Sequence, residues 1–130
     1  MMKNTFLAAL LILALGQICH FGLPWWSLVI IAGLAGWFTN NAWQASLGGF
    51  LGGSTLWWLA AWWKDSANDS ALSEKVGQLF QGASSAQLLL LTGVMGGLLA
   101  ALGALSGRWG RDLLMKNPSR RHYLQERRRR

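Results

Sequence analysis

The chain has 130 residues, 52% of them hydrophobic and only 13% charged, with 16 Gly, 9 Trp and 1 Cys. This excludes an internal disulfide framework, a multi-thiolate metal site and the charged surface of an ordinary soluble domain. The net charge of +7 is segregated: Arg108, Arg111, Lys116, Arg120, Arg121, Arg127, Arg128, Arg129 and Arg130 face only Asp112 and Glu126, while Lys3, Lys64 and Lys75 balance Asp65, Asp69 and Glu74 in the remainder.

From Asn4 to Trp63 there is no Asp, Glu, Lys or Arg, so no helix there has the charged face a soluble bundle requires. The run reads as membrane-embedded, broken at "HFGLPWW" and "FTNN", where Gly, Pro and Asn supply turns. The expected fold class is all-α: a polytopic four-helix transmembrane bundle with spans at about 5–21, 25–38, 42–63 and 86–107 and a short amphipathic outer helix at about 70–81. A basic tail follows over 108–130.

In the first span, "MMKNTFLAALLILALG" also has the form of a signal peptide, with Ala14-Leu15-Gly16 as a small-x-small cleavage site. A retained span is the expected reading, because apolar sequence resumes almost at once. The second span is short: its fourteen residues reach only ~21 Å against a hydrocarbon core of ~30 Å, so the bilayer thins there or the span borrows Pro24 and Thr39 at its ends.

The third span carries two overlapping small-residue ridges, Gly48-x-x-x-Gly52 and Gly49-x-x-x-Gly53. In the fourth span Gly93, Gly96, Ala100, Gly103 and Gly107 recur at alternating spacings of three and four, a small-residue seam. Helices in lipid associate through such close contacts, because lipid tails are as apolar as Leu. Packing within one chain is expected, with a homo-oligomer or a membrane-protein partner as the alternative.

"WWLAAWW" closes the third span. Trp57, Trp58, Trp62 and Trp63 fall at about 0°, 100°, 140° and 240° around a helix, an arc wider than one packing stripe. They read as interface anchors, because indole has an apolar body and one N–H donor suited to the headgroup boundary. Trp25 and Trp26 lie at the same boundary if the spans alternate, and Trp37, Trp43 and Trp109 at the opposite one.

After Lys64, Leu72, Val76, Leu79 and Phe80 recur at helical spacing, with Asp69 or Ser70 as the helix cap and Gly82 as its end. Ser84 or Ser85 is then expected to cap the fourth span. Basic residues near span ends remain cytoplasmic, which places both termini and the "TNN" turn inside and segment 64–85 outside. The tail reads as a contact for anionic lipid headgroups and not for nucleic acid, since only His122 and Tyr123 offer stacking and no recognisable module is present.

No catalytic, cofactor-binding or metal site is expected. Cys19 and His20 diverge by about 100° on a helix, and the spans hold no carboxylate to orient a base. The functional expectation is a non-enzymatic scaffold or accessory subunit, the alternative a small channel or transporter with a polar path between helices. Candidates for that path are Thr39, Asn40, Asn41, Gln44, Ser54, Thr55, Thr92, Gln17 and His20.

"LPWW", "GGFLGG", "DSANDSALSEKVGQLF" and "LTGVMGGLLAALGALSG" together resemble a family of short, uncharacterised bacterial inner-membrane proteins with four spans. The resemblance covers about residues 5–107 and implies topology without a mechanism. "FTNNAWQASLGGFLGGST" is also similar to Asn- and Gly-rich spans of fluoride channels, but their Gly-rich first-span motif ending in Arg is missing.

Overall fold

The computed structural model describes residues 2–20, 22, 24 and 26–115. Among these the chain is all-helical, with five helices and no strand: α1 (Met2–His20), α2 (Ser27–Trp37), α3 (Ala42–Ala67), α4 (Ala71–Leu79) and α5 (Ser85–Leu114). Within the described residues α5 is the one helix both long and apolar enough to cross a membrane, while Thr5–Gln17 of α1 and the whole of α2 are apolar but shorter. α3 has the length, but Gly, Trp, Gln, Ser and Thr dilute its apolar content.

Local chemistry sets the ends. α2 starts as the Ser27 N–H donates to Pro24 O at 3.0 Å, and it stops where the Phe38 and Thr39 N–H groups turn back to Ala35 O and Gly36 O. It has 11 residues, about 16 Å of rise, so it is shorter than the 25–38 expected. α3 begins after extended Asn41 (φ −133°, ψ 150°) and continues beyond Trp63 to Ala67, because Lys64, Asp65, Ser66 and Ala67 contain no breaker. α5 opens with a reciprocal capping box: the Gln87 N–H donates to Ser84 Oγ and the Ser84 N–H to Gln87 Oε1. It does not stop at Gly107. Arg108 and Asp112 pair across one turn at 3.1 Å, which supports helix through the start of the expected tail.

Packing partners give the helix directions. Methyl groups placed on Gly48 and Gly52 would meet Ala8 and Ile12 of α1, and one on Gly16 would meet Leu56, so α1 and α3 are parallel. Gly49 faces Ala100 and Ala101, Gly53 faces Gly96, and Gly93 faces Ser54 and Trp58, so α5 is antiparallel to α3. Gly103 meets Val29 and Gly107 meets Gly33, while Arg111 reaches Trp37, so α2 is parallel to α5. Successive long helices thus alternate in direction. α3 lies between α1 and α5, α2 joins α5 to α1 from the other side, and α1 and α5 do not touch.

The core is made of small residues. Ala32, Ala45 and Ala100 are fully buried together with Ile12, whereas Phe6, Leu34 and Leu102 are 68%, 59% and 62% exposed. A methyl on Gly49 would lie 2.6 Å from the Ala100 carbonyl oxygen and 2.9 Å from the Ala101 Cα, and backbone atoms cannot swing aside. We therefore expect Gly49→Ala to cost about 1–3 kcal/mol through overpacking and Gly49→Leu to prevent native assembly. Gly110→Ala, where nothing lies within 4 Å, should be neutral or stabilising by up to ~1 kcal/mol. Thermal unfolding in mild detergent, followed by circular dichroism, separates the two positions.

Candidate functional site

The densest group of polar side chains lies past the apolar part of α3, where α3, α4 and α5 meet. Asp65 Oδ2 accepts from Ser70 Oγ at 3.0 Å and from Ser85 Oγ at 3.1 Å. Ser73 Oγ donates to Ser70 O at 2.9 Å and lies in contact with Ser85 Oγ. One carboxylate thus fastens the last turn of α3 to the end of the α3–α4 link and to the start of α5. The Ser73 hydroxyl contributes most to holding the Asp65 carboxyl below its ordinary value, against an opposing push from desolvation, and Ser70 and Ser85 add to the lowering. A carboxylate so stabilised is a weaker base, and its bonds to Ser70 and Ser85 tie α3 to the α3–α4 link and to α5.

The sequence expectations here shift by a few residues. Ser70 occupies the N-cap of α4 but makes no capping bond, because its hydroxyl is turned to Asp65. Asp69 and Ser70 both adopt positive φ, 49° and 57°, an arrangement that non-glycine residues hold only when their surroundings fix it. At the other end of α4, Gln81 and Gly82 have φ of 59° and 86°, and the Gly82 N–H donates to Gly77 O at 2.9 Å, a Schellman closure. Ser84 rather than Ser85 caps α5, which frees Ser85 for the carboxylate.

Beneath this clasp an open cleft of about 460 Å³ runs between α3, α4 and α5. Lys64, Asp65, Asn68 and Ser73 stand along it beside Leu72, Val76, Phe80, Leu88 and Leu91. α4 does not bury its apolar face in the chain: Leu72, Leu79 and Phe80 are exposed. Among the described residues no group of three or more His, Cys, Asp or Glu is arranged to hold a metal ion.

The tryptophans divide. Trp58, Trp62 and Trp63 are exposed, as are Trp26 and Trp109. Trp57 packs partly buried against the core, its ring in the space left by the missing side chain of Gly96, and the Cβ of Trp58 lies over Gly93. The broad arc therefore combines one residue packed against the core, Trp57, with three that are exposed. Trp25 lies outside the described residues, as do Lys116, Arg120, Arg121, Arg127, Arg128, Arg129 and Arg130.

At the opposite end, the two described basic residues of the tail are engaged with the chain. Arg111 donates through Nη1 to Trp37 O at 2.9 Å and Thr39 O at 3.2 Å, capping carbonyls that α2 leaves open. Arg108 pairs with Asp112. Thr39, 1% exposed, bonds Gly36 O at 2.7 Å, and Gln44 is buried beside this end. Ser54 and Thr55 bond Leu51 O, and Thr92 bonds Leu88 O, each within its own helix. Asn40, Asn41 and Gln17 are exposed, and the side chain of His20 lies outside the described residues.

The chain matches no protein-family model, no curated protein and no solved structure.

Asp65 yields a pH expectation with a defined sign. Because its folded value is depressed, the clasp is fully present above the ordinary aspartate range and is lost as pH falls through the lowered folded value. Asp65→Asn should abolish that acid transition and, at neutral pH, expose α4 to faster tryptic cleavage at Lys75. At the other end, Arg111→Met should cost about 1.5–3 kcal/mol, the range for hydrogen bonds from a charged donor, and should speed hydrogen exchange at the end of α2.

Proposed function

We propose that the chain is a small integral protein of the bacterial inner membrane that crosses it four times, with both termini cytoplasmic, and serves as a non-enzymatic scaffold or accessory subunit. The observation that carries this reading is the inversion of core and surface. Gly and Ala occupy the contacts between helices, while Leu, Ile, Phe and Trp face outward on α1, α2, α3 and α5. Monomeric soluble proteins rarely expose contiguous apolar patches beyond a few hundred Å², and in hydrocarbon such a surface carries no penalty while close backbone packing supplies the cohesion.

The alternating helix directions support four crossings, with α5 crossing alone and α1, α2 and α3 relying on their neighbours. α2 covers about half of the ~30 Å hydrocarbon thickness, which calls for its flanking residues or a thinned bilayer. One end of the bundle gathers the start of α1, the α2–α3 turn and Arg108 and Arg111 at the end of α5. The positive-inside tendency assigns that end to the cytoplasm, where the Arg-rich remainder of the tail meets anionic headgroups. The other end, with Asp65 and α4, is then outside, and the exposed apolar side of α4 rests on the outer surface.

The scaffold is favoured over a channel or transporter because the mid-helix hydroxyls bond within their own helices and so do not build a shared polar wall. Both ridges of α3 are occupied within the chain, so a homo-oligomer or another membrane protein would dock on the large outward side chains. Alkaline carbonate should leave the protein in the membrane fraction. Reporter fusions after Arg111 and at Asn40 should report the cytoplasm and one at Asp69 the exterior; an exterior report at Arg111 would reverse the arrangement.

A further inference from the structure

The cleft between α3, α4 and α5 joins two kinds of surface that seldom share a pocket: walls of Val76, Leu88 and Leu91, and a mouth carrying Lys64 and Asp65 side by side in sequence. Neighbouring residues on a helix point about 100° apart, so the two charges flank the opening and do not pair. The one ion pair among the described residues is Arg108 with Asp112, at the other end of the molecule. Lys64 therefore presents an ammonium with no acidic partner among the described residues. Leu72 and Leu91 are half exposed or more along this cleft, so its apolar floor is continuous with the outward apolar surface and can be entered from the side.

We propose that this cleft binds a phospholipid with an amine headgroup, its acyl chain along Val76, Leu88 and Leu91, its phosphate at Lys64 and its ammonium at Asp65. This rests on the membrane reading above, with this end of the bundle in the outer leaflet. Charge complementarity selects the ligand. A phosphate alone answers Lys64 but is repelled by Asp65, whereas a headgroup carrying both charges answers both, and a primary ammonium donates hydrogen bonds that a quaternary one cannot. The volume of about 460 Å³ falls within the 300–1,000 Å³ range of small-molecule sites. The cleft offers a soluble polar metabolite few free hydroxyls, since Thr92 is bonded to Leu88 O and Ser73 to Ser70 O.

The test uses the full chain in nanodiscs holding equal parts of phosphatidylethanolamine, phosphatidylglycerol and phosphatidylcholine. The protein is released into mild detergent, and the lipid it keeps is identified by native mass spectrometry. Phosphatidylethanolamine should be enriched over both other lipids. Lys64→Gln should lower its retention about tenfold, the equivalent of one charge-assisted hydrogen bond. Val76→Trp, which fills the cleft and leaves both charges, should lower it as well, whereas Lys75→Gln, which does not line the cleft, should leave it unchanged. Equal retention of the three lipids, preference for phosphatidylglycerol, or retention that neither Lys64→Gln nor Val76→Trp reduces would each overturn the site while the protein remains inserted. Failure to insert at all, read from carbonate extraction of the same preparation, would overturn the membrane reading and the site together.

Discussion

Everything in this bundle depends on how closely the backbone of α3 approaches two neighbours at once. Gly48 and Gly52 form one side-chain-free ridge and Gly49 and Gly53 the next, a single residue of rotation away. The first seats α1 and the second seats α5. Dispersion contacts weaken steeply with distance, so the cohesion of a core poor in large side chains comes from many atoms at short range. α5 repeats the device along its length, with Gly93, Gly96 and Ala100 turned to α3 and Gly103 and Gly107 turned to α2.

Among the described residues the side-chain hydrogen bonds that join one element to another gather at the two ends, and each end uses one charged residue to collect backbone or hydroxyl groups from several elements. Arg111 holds the carbonyls where α2 stops, and Asp65 holds hydroxyls from the α3–α4 link, α4 and α5. Between them the interior relies on fit. The two kinds of cohesion are complementary: small residues specify which helices lie side by side, and the end groups fix how far each slides along its neighbour. The parallel pairing of α2 with α5 has this character, since Gly103 with Val29, Gly107 with Gly33 and Arg111 with Trp37 all keep one register.

Much of this was legible before any coordinates. The ridges of α3 and the seam of α5 are periodic, and a missing side chain at regular helical spacing has few uses other than close approach. The helix boundaries in the outer segment were legible to within a few residues, because Ser, Asp and Gly mark them. Their internal chemistry was not. The sequence offers Asp69 or Ser70 as the cap of α4, but the Ser70 hydroxyl is taken by Asp65, five residues earlier, which Ser85 bonds as well, and no local pattern records these contacts. The same holds for Arg111. In sequence it is one of nine basic residues in a tail, and only the arrival of the end of α2 beside it makes it a helix cap. Trp57 shares its cluster with Trp58, Trp62 and Trp63, and an aromatic cluster carries no sign of which member faces a glycine on another helix.

The order in which the helices pair has a consequence for how the chain comes to be built. α1 packs chiefly on α3, and α2 chiefly on α5, so each of the first two helices finds its main partner only after the intervening helix has been made. A chain emerging from the ribosome at about 5–20 residues per second leaves α1 without its glycine ridge until α3 is complete, and leaves α2 without its end cap until Arg111 has been made. Of the successive long helices, α3 and α5 are the most extensively paired and close on each other as a hairpin. α1 gains its main partner with α3, and α2 gains its own only when α5 closes the ring.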